Sequence, residues 1–149
     1  KNKERLSKRS KEYRNTNRVR LNKKKTEYVK KRKVVDPLYK LKMVVRDRIR
    51  GAFMGHSFKK KGSSASIVGI DFETLKRHIE SKFTKGMNWK NHGQGYGMWH
   101  IDHKIPLSSA KTEDELITLC HYTNLQPLWE ADNLKKSNKI FSVQVKLTL

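Results

Sequence analysis

Cysteine is almost missing from this 149-residue chain: Cys120 stands alone. That excludes an intramolecular disulfide and any Cys-rich zinc knuckle, and it suits a reducing compartment. Long apolar runs are missing too, so no membrane span is expected, and the charged first residues lack the hydrophobic stretch of a secretory leader. The chain starts at Lys1 and not at Met, which leaves room for residues upstream. Acidic side chains are scarce, 14 against 35 Lys and Arg, for a formal charge of +21. The shortage is local. Residues 1–61 hold 24 basic and 5 acidic side chains, a net +19, whereas residues 62–149 hold 11 and 9, a net +2. A segment so one-sided repels itself and seeks a polyanion, nucleic acid before an anionic membrane surface. The length allows one or two small domains with a modest core.

What is present begins with a repeat. "NKERLSKRSKEY" (Asn2 to Tyr13) aligns with "NRVRLNKKKTEY" (Asn17 to Tyr28) at an offset of 15, matching Asn2 with Asn17, Arg5 with Arg20, Leu6 with Leu21 and Tyr13 with Tyr28. So few apolar side chains cannot build a core. Residues 1–35 therefore read either as a solvated, partly disordered arm or as a basic helix that orders on DNA, with Tyr13 and Tyr28 against sugars or bases. In both readings Arg5, Lys8, Arg9, Arg14, Arg18, Arg20, Lys23, Lys24, Lys25 and Lys30 meet phosphates and release counterions.

Residues 36–90 read as a helical region. Asp36 caps a helix over 36–54, Pro37 suits its first turn, and Leu38, Leu41, Val45, Ile49 and Ala52 form its apolar stripe. Arg46, Arg48 and Arg50 lie largely off that stripe and join the DNA-binding set. "KKKGSSAS" (Lys59 to Ser66) reads as a loop or linker. Asp71 caps a second helix over 72–83, with Phe72, Leu75, Ile79 and Phe83 on one side. The glycine-rich "NHGQGYG" (Asn91 to Gly97) opens a last region, 91–141, and 142–149 is a tail whose "FSVQVKLTL" alternates like an edge strand.

Chemistry concentrates after Met98. "MWHIDHKIP", "TEDELITLCHY", "TNLQPLW" and "EADNLKKSNKI" read as strand, inserted helix, strand and helix. Thr112 with Glu115 makes a capping box for the inserted helix, and Cys120 is expected to be buried there. On the last helix Asn133, Lys136 and Ser137 share a face. Asp102 offers a carboxylate and Asn133 an amide oxygen, hard donors that suit Mg2+ or Mn2+. His103 can take a proton from water near neutral pH, and Lys136, one turn past Asn133, could reach a phosphate. His100 shares strand parity with Asp102, as a structural hydrogen-bond partner or a further metal contact. Metal, base and cation beside a phosphate-seeking arm describe phosphodiester hydrolysis. His56, His78, His92 and His121 read as surface or hydrogen-bonded side chains, and Trp89, Trp99, Leu128 and Trp129 as packing.

"HIDHKIP … TNLQPLWEADNLKKSNK" resembles the HNH, or ββα-metal, endonuclease motif, in particular that of phage and mobile-element enzymes with basic arms. The resemblance covers about Trp99 to Ile140. It implies an α+β fold: a small ββα-metal unit with a helical insertion between its strands, packed with the preceding helices and a basic helical arm. It implies Asp102 and Asn133 as ligands of one Mg2+ or Mn2+, His103 as general base, and Asn124 as the brace of the loop that holds the base. The expected partner is double-stranded DNA, with no membrane, and the setting is the cytoplasm of a bacterium or phage-infected cell. Three features depart from the family pattern. Ser137 stands where bacteriocin members have a second helix histidine, which favours Mg2+ over Zn2+. Paired zinc-binding cysteines are absent, and the 112–121 helix lengthens the separation of His103 and Asn124. The alternative is a DNA-binding protein whose nuclease module is silent; a purely structural RNA-binding protein would explain the arm but not the cluster.

Overall fold

The basic repeat folds into two helices, α1 (Asn2–Thr16) and α2 (Arg18–Val35), neither of which buries a residue. The computed structural model describes residues 2–140, so the alternating stretch after Ile140 lies outside the described residues. The chain divides into two units, Lys1–Lys40 and Leu41–Leu149. In the first, the helices break at Asn17, whose side-chain amide donates to the Tyr13 carbonyl at 3.0 Å. The two repeat tyrosines take different partners, because the sequence puts Asn17 four residues after Tyr13 but Arg32 four residues after Tyr28. Tyr13 Oη accepts from Arg20, seven residues on, at 3.1 Å; Tyr28 Oη accepts from Arg32, four residues on, at 2.9 Å. Arg32 also pairs with Asp36 at 3.3 Å and lies 4.3 Å from the Tyr39 ring.

Helix α3 (Pro37–Gly55) starts as its sequence requires: Asp36 Oδ1 accepts from the Tyr39 amide at 2.8 Å. Its buried stripe is Leu41, Val45, Ile49 and Phe53, with Ala52 packed at the margin. The expected linker is partly wrong. Ser64–Val68 forms a short helix, α4, capped by Ser63 Oγ on the Ser66 amide at 3.0 Å. Five residues are too few to hold a helix by propensity; Ile67 and Val68, both buried, hold it by packing. It ends on Gly69 at φ +84°, where an added Cβ would stand 2.5 Å from the His121 ring.

Helix α5 (Phe72–Glu80) is shorter than the 72–83 expected from its stripe. Asp71 Oδ1 caps it on Glu73 and Thr74, both at 2.9 Å. Leu75 and Ile79 are fully buried. Phe83, beyond the helix end, packs edge-on against Trp99 at 4.9 Å, and Trp89 joins them 5.2 Å from Trp99. β1 (Trp99–His103) and β2 (Leu125–Trp129) form one antiparallel pair, from Trp99 opposite Trp129 to His103 opposite Leu125. Between them lies α6 (Glu113–Leu119), and β2 runs straight into α7 (Glu130–Lys136).

The expected capping box on α6 is half made. Thr112 Oγ1 accepts from Glu115 N at 3.2 Å, but Glu115 Oε2 returns to the amide of Lys111, at 2.7 Å, and not to that of Thr112. The architecture is α+β, mostly helical, around one two-stranded sheet. One core joins α3, α4, α5, α6 and both strands.

Candidate active site

Strand β1 sorts its side chains by parity. Trp99, Ile101 and His103 fall on one side and His100 and Asp102 on the other, and all but the half-buried His100 are buried. Helix α7 contacts both strands. At the end of β1 a cleft of about 360 Å³ is lined by Arg48, Asp102, His103, Asn133 and Lys136, with Pro106 to Ser108 on its rim. Asp102, His103 and Asn133, separated by some thirty residues in the chain, thus line one space.

Asp102 has both carboxylate oxygens engaged. Lys136 Nζ donates to Oδ1 at 3.1 Å and Gln126 Nε2 donates to Oδ2 at 2.9 Å. Gln126 sits directly opposite Asp102 in the register; only the pairing of the strands, which sequence reading did not fix, would have shown it. Asn133 Nδ2 donates to His100 Nδ1 at 2.9 Å, which leaves the amide oxygen out of that bond. His100 Nε2 lies 3.7 Å from Glu130 Oε1. His100 is therefore a hydrogen-bond partner of the helix asparagine, as the first of its two readings had it.

Lys136 requires a correction. Expected to reach a phosphate, it is 2% exposed, and its ammonium donates to Asp102 and, at 2.7 Å, to the His103 carbonyl. Burying a lysine demands a counter-charge, and Asp102 supplies it. Arg48, expected with Arg46 and Arg50 as a DNA contact, is exposed; its Nη1 donates to the Ile101 carbonyl at 2.6 Å and it lines the cleft. Desolvation lowers the Arg48 pKa, opposed by the nearby Asp102 carboxylate.

The electrostatics converge on His103. Burial first, then the Arg48 and Lys136 cations, push its pKa from 6.5 down to about 3, because each opposes a further positive charge. The imidazole is neutral at physiological pH, but so low a pKa makes it a much weaker base than the near-neutral one expected from the sequence. Asn124 supports the loop after it: its Oδ1 accepts from Ile105 N at 2.9 Å, and its Nδ2 donates to the carbonyls of Ile105 at 2.9 Å and Leu119 at 2.7 Å. The Asn124 carbonyl adds a bond from Lys104 N at 2.9 Å.

The other histidines have ordinary surroundings: His56 meets the Leu107 carbonyl, His78 meets Lys82, His121 meets Thr123, and His92 packs between Trp89 and Trp99. Cys120 is buried, and burial raises its thiol to about 11, so it is a poor nucleophile.

Asp102 and Asn133 are hard oxygen donors of the type Mg2+ takes while keeping several waters, and both line the cleft, but Lys136 and Gln126 already engage both Asp102 oxygens. Among the described residues no group of three or more His, Cys, Asp and Glu is gathered for a metal, so a closed tetrahedral zinc cage has no counterpart there.

In comparisons with known proteins, the chain is 33% identical over 119 residues to an uncharacterized protein of Acanthamoeba polyphaga mimivirus, covering 78% of this chain and 50% of that one. It is 30% identical over 143 residues to a second uncharacterized protein of the same virus, covering 87% of this chain and 61% of that one. The chain thus spans between half and about three-fifths of the relatives it matches. No family model matches the chain. No solved structure matches it either.

Proposed function

We propose that the chain is a metal-dependent DNA endonuclease of HNH type that hydrolyses phosphodiester bonds. The observation that carries the reading is the meeting of Asp102, His103, Asn133 and Arg48 in one cleft at the end of β1. His103, neutral and braced through Asn124, takes the proton of the attacking water as its oxygen bonds to phosphorus and the bond to the leaving oxygen breaks. Arg48 places positive charge beside the phosphate. Asp102 and the Asn133 amide oxygen would hold one Mg2+ or Mn2+, which when bound stabilises charge on the scissile phosphate and the leaving oxygen. Lys136 anchors Asp102 and the end of β1 from behind. The basic repeat supplies sequence-independent affinity for the duplex. No helix among the described residues is long and apolar enough to cross a membrane, and the viral relatives favour an infected host cell as the setting.

The test is cleavage of supercoiled plasmid with Mg2+, with EDTA, and by His103→Ala protein. Cutting in the first lane and loss in the other two is expected. One observation favours a second reading, a DNA-binding protein with a silent module: Lys136 and Gln126 already occupy both oxygens of Asp102. Plasmid retained but uncut in every lane would select it.

A further inference from the structure

Helix α3 carries arginines on both flanks of its buried stripe, and only one flank belongs to the cleft. At about 100° per residue, Arg46 and Arg50 are one turn apart on the same side, while Arg48 is rotated roughly 200° from Arg46. Arg48 turns to the Ile101 carbonyl. Arg46 and Arg50 instead line a second groove of about 490 Å³, between α3, the Lys60 to Ala65 segment and Phe72. Three cations, Arg46, Arg50 and Lys60, line it with one carboxylate, Asp47, the neighbour of Arg46 on the same helix. Among the described residues no ion pair engages Arg46, Arg50 or Asp47. Lys60 is held by the Gly62 carbonyl at 2.8 Å. Met43 and Phe72 give the groove an apolar floor, and Lys42 lies 5.9 Å from the Phe72 ring.

We infer that this groove is a second nucleic-acid contact, a track for the phosphodiester backbone of one strand outside the catalytic cleft. The inference rests on the nucleic-acid half of the proposed function and not on cleavage. The two arginines are about 6 Å apart along the helix axis, close to the axial advance of two nucleotides in a B-form strand. The groove is larger than a single phosphate needs, and its mixture of guanidinium edges and apolar floor matches alternating phosphate and sugar. Such a contact positions the duplex without reading its sequence.

The experiment uses the full chain in EDTA, where no cutting occurs, and follows a fluorescent duplex by anisotropy across a salt series. Arg46→Ala/Arg50→Ala is expected to bind at least about tenfold more weakly at low salt. Its log–log salt slope should be shallower by about 2, one unit per lost phosphate contact. Asp47→Asn should bind more tightly than the parent protein. An unchanged slope in the double variant, with circular dichroism matching the parent, overturns the track. So does loss of binding to phosphatidylserine vesicles with duplex binding intact, which would assign the groove to a lipid surface. Failure of the plasmid assay leaves these measurements standing, so the two readings fail separately.

Discussion

His103 is neutral because three effects act together: removal from water, the Arg48 guanidinium and the Lys136 ammonium. The consequence for stability has a definite sign. Between pH 6.5 and about 3 the unfolded chain takes up a proton at this residue that the folded chain refuses, so the fold loses stability as pH falls through that window. His103→Gln removes this one contribution. Urea melts at pH 7 and 4.5 should show a smaller acid loss for the variant than for the parent; equal losses would mean that the imidazole titrates normally. The catalytic counterpart is an acid limb of kcat/KM well below the ordinary histidine range, because that ratio reports the free enzyme's base. A limb centred at 6.5 contradicts the burial of His103.

Lys136 and Asp102 form a buried pair, and breaking one from a single side leaves an uncompensated charge, at a typical cost of about 3–5 kcal/mol. Lys136→Met is expected to lose stability on that scale in EDTA. Mn2+ should restore part of the loss, and more of it than it adds to the parent, since an ion that binds only the folded state stabilises by mass action and the variant leaves Asp102 Oδ1 open to it. Denaturant titrations with and without Mn2+ measure both quantities. A variant as stable as the parent in EDTA, or indifferent to Mn2+, contradicts the pairing or the ligand role. Lys136 was not placed correctly from the chain alone, because a charged side chain is read as exposed by default. The interior counter-charge that overrides the default appears only when β1 and α7 meet.

At the scale of elements, legibility followed the strength of local signals. Helix α3 was readable because a cap, an N-terminal proline and a five-membered stripe agree with one another, although Phe53 and not Ala52 takes the last buried place. Asp71 announced α5, and its end was overrun because Phe83 continues the apolar spacing while serving the aromatic cluster from a turn. Helix α4 was missed because the lysine, glycine and serine before it read as punctuation and only its last two positions carry large apolar side chains. The β1–α6–β2–α7 order was legible in full, and so was Asn124 as a brace, though only through resemblance to a family; nothing in its own spacing names Ile105 and Leu119 as its partners. Asn124→Ala removes three side-chain hydrogen bonds, two to Ile105 in the turn that follows His103 and one to the Leu119 carbonyl at the end of α6. With net values near 1 kcal/mol each and partial exposure, a loss of about 2 kcal/mol is expected. Amide exchange at Ile105 should accelerate sharply in the variant. Protection equal to the parent's would show that the turn is held by backbone bonds alone.

For the molecule as a whole, composition separates two kinds of physics. The part from Leu41 onward owes its form to a contiguous core. Residues 1–33 hold 16 basic and 3 acidic side chains, and neither of their helices buries a residue. Their contribution to function is therefore charge and its spacing, which composition alone already exposed, whereas the cleft depended on side chains meeting from distant parts of the sequence. If roughly half of those cations meet phosphates, deleting residues 1–33 should flatten the log–log salt dependence of duplex binding by about 7 units. Affinity at low salt should fall by orders of magnitude. A short duplex supplied at saturating concentration should still be cut at a rate near that of the parent, since Asp102, His103 and Asn133 all lie in the remaining unit. Binding isotherms across a salt series and single-turnover rates on the same duplex separate the two effects. A truncated protein whose salt slope matches the parent's would remove the repeat from DNA binding, and one that binds well but no longer cuts would place part of the catalytic machinery in the first 33 residues.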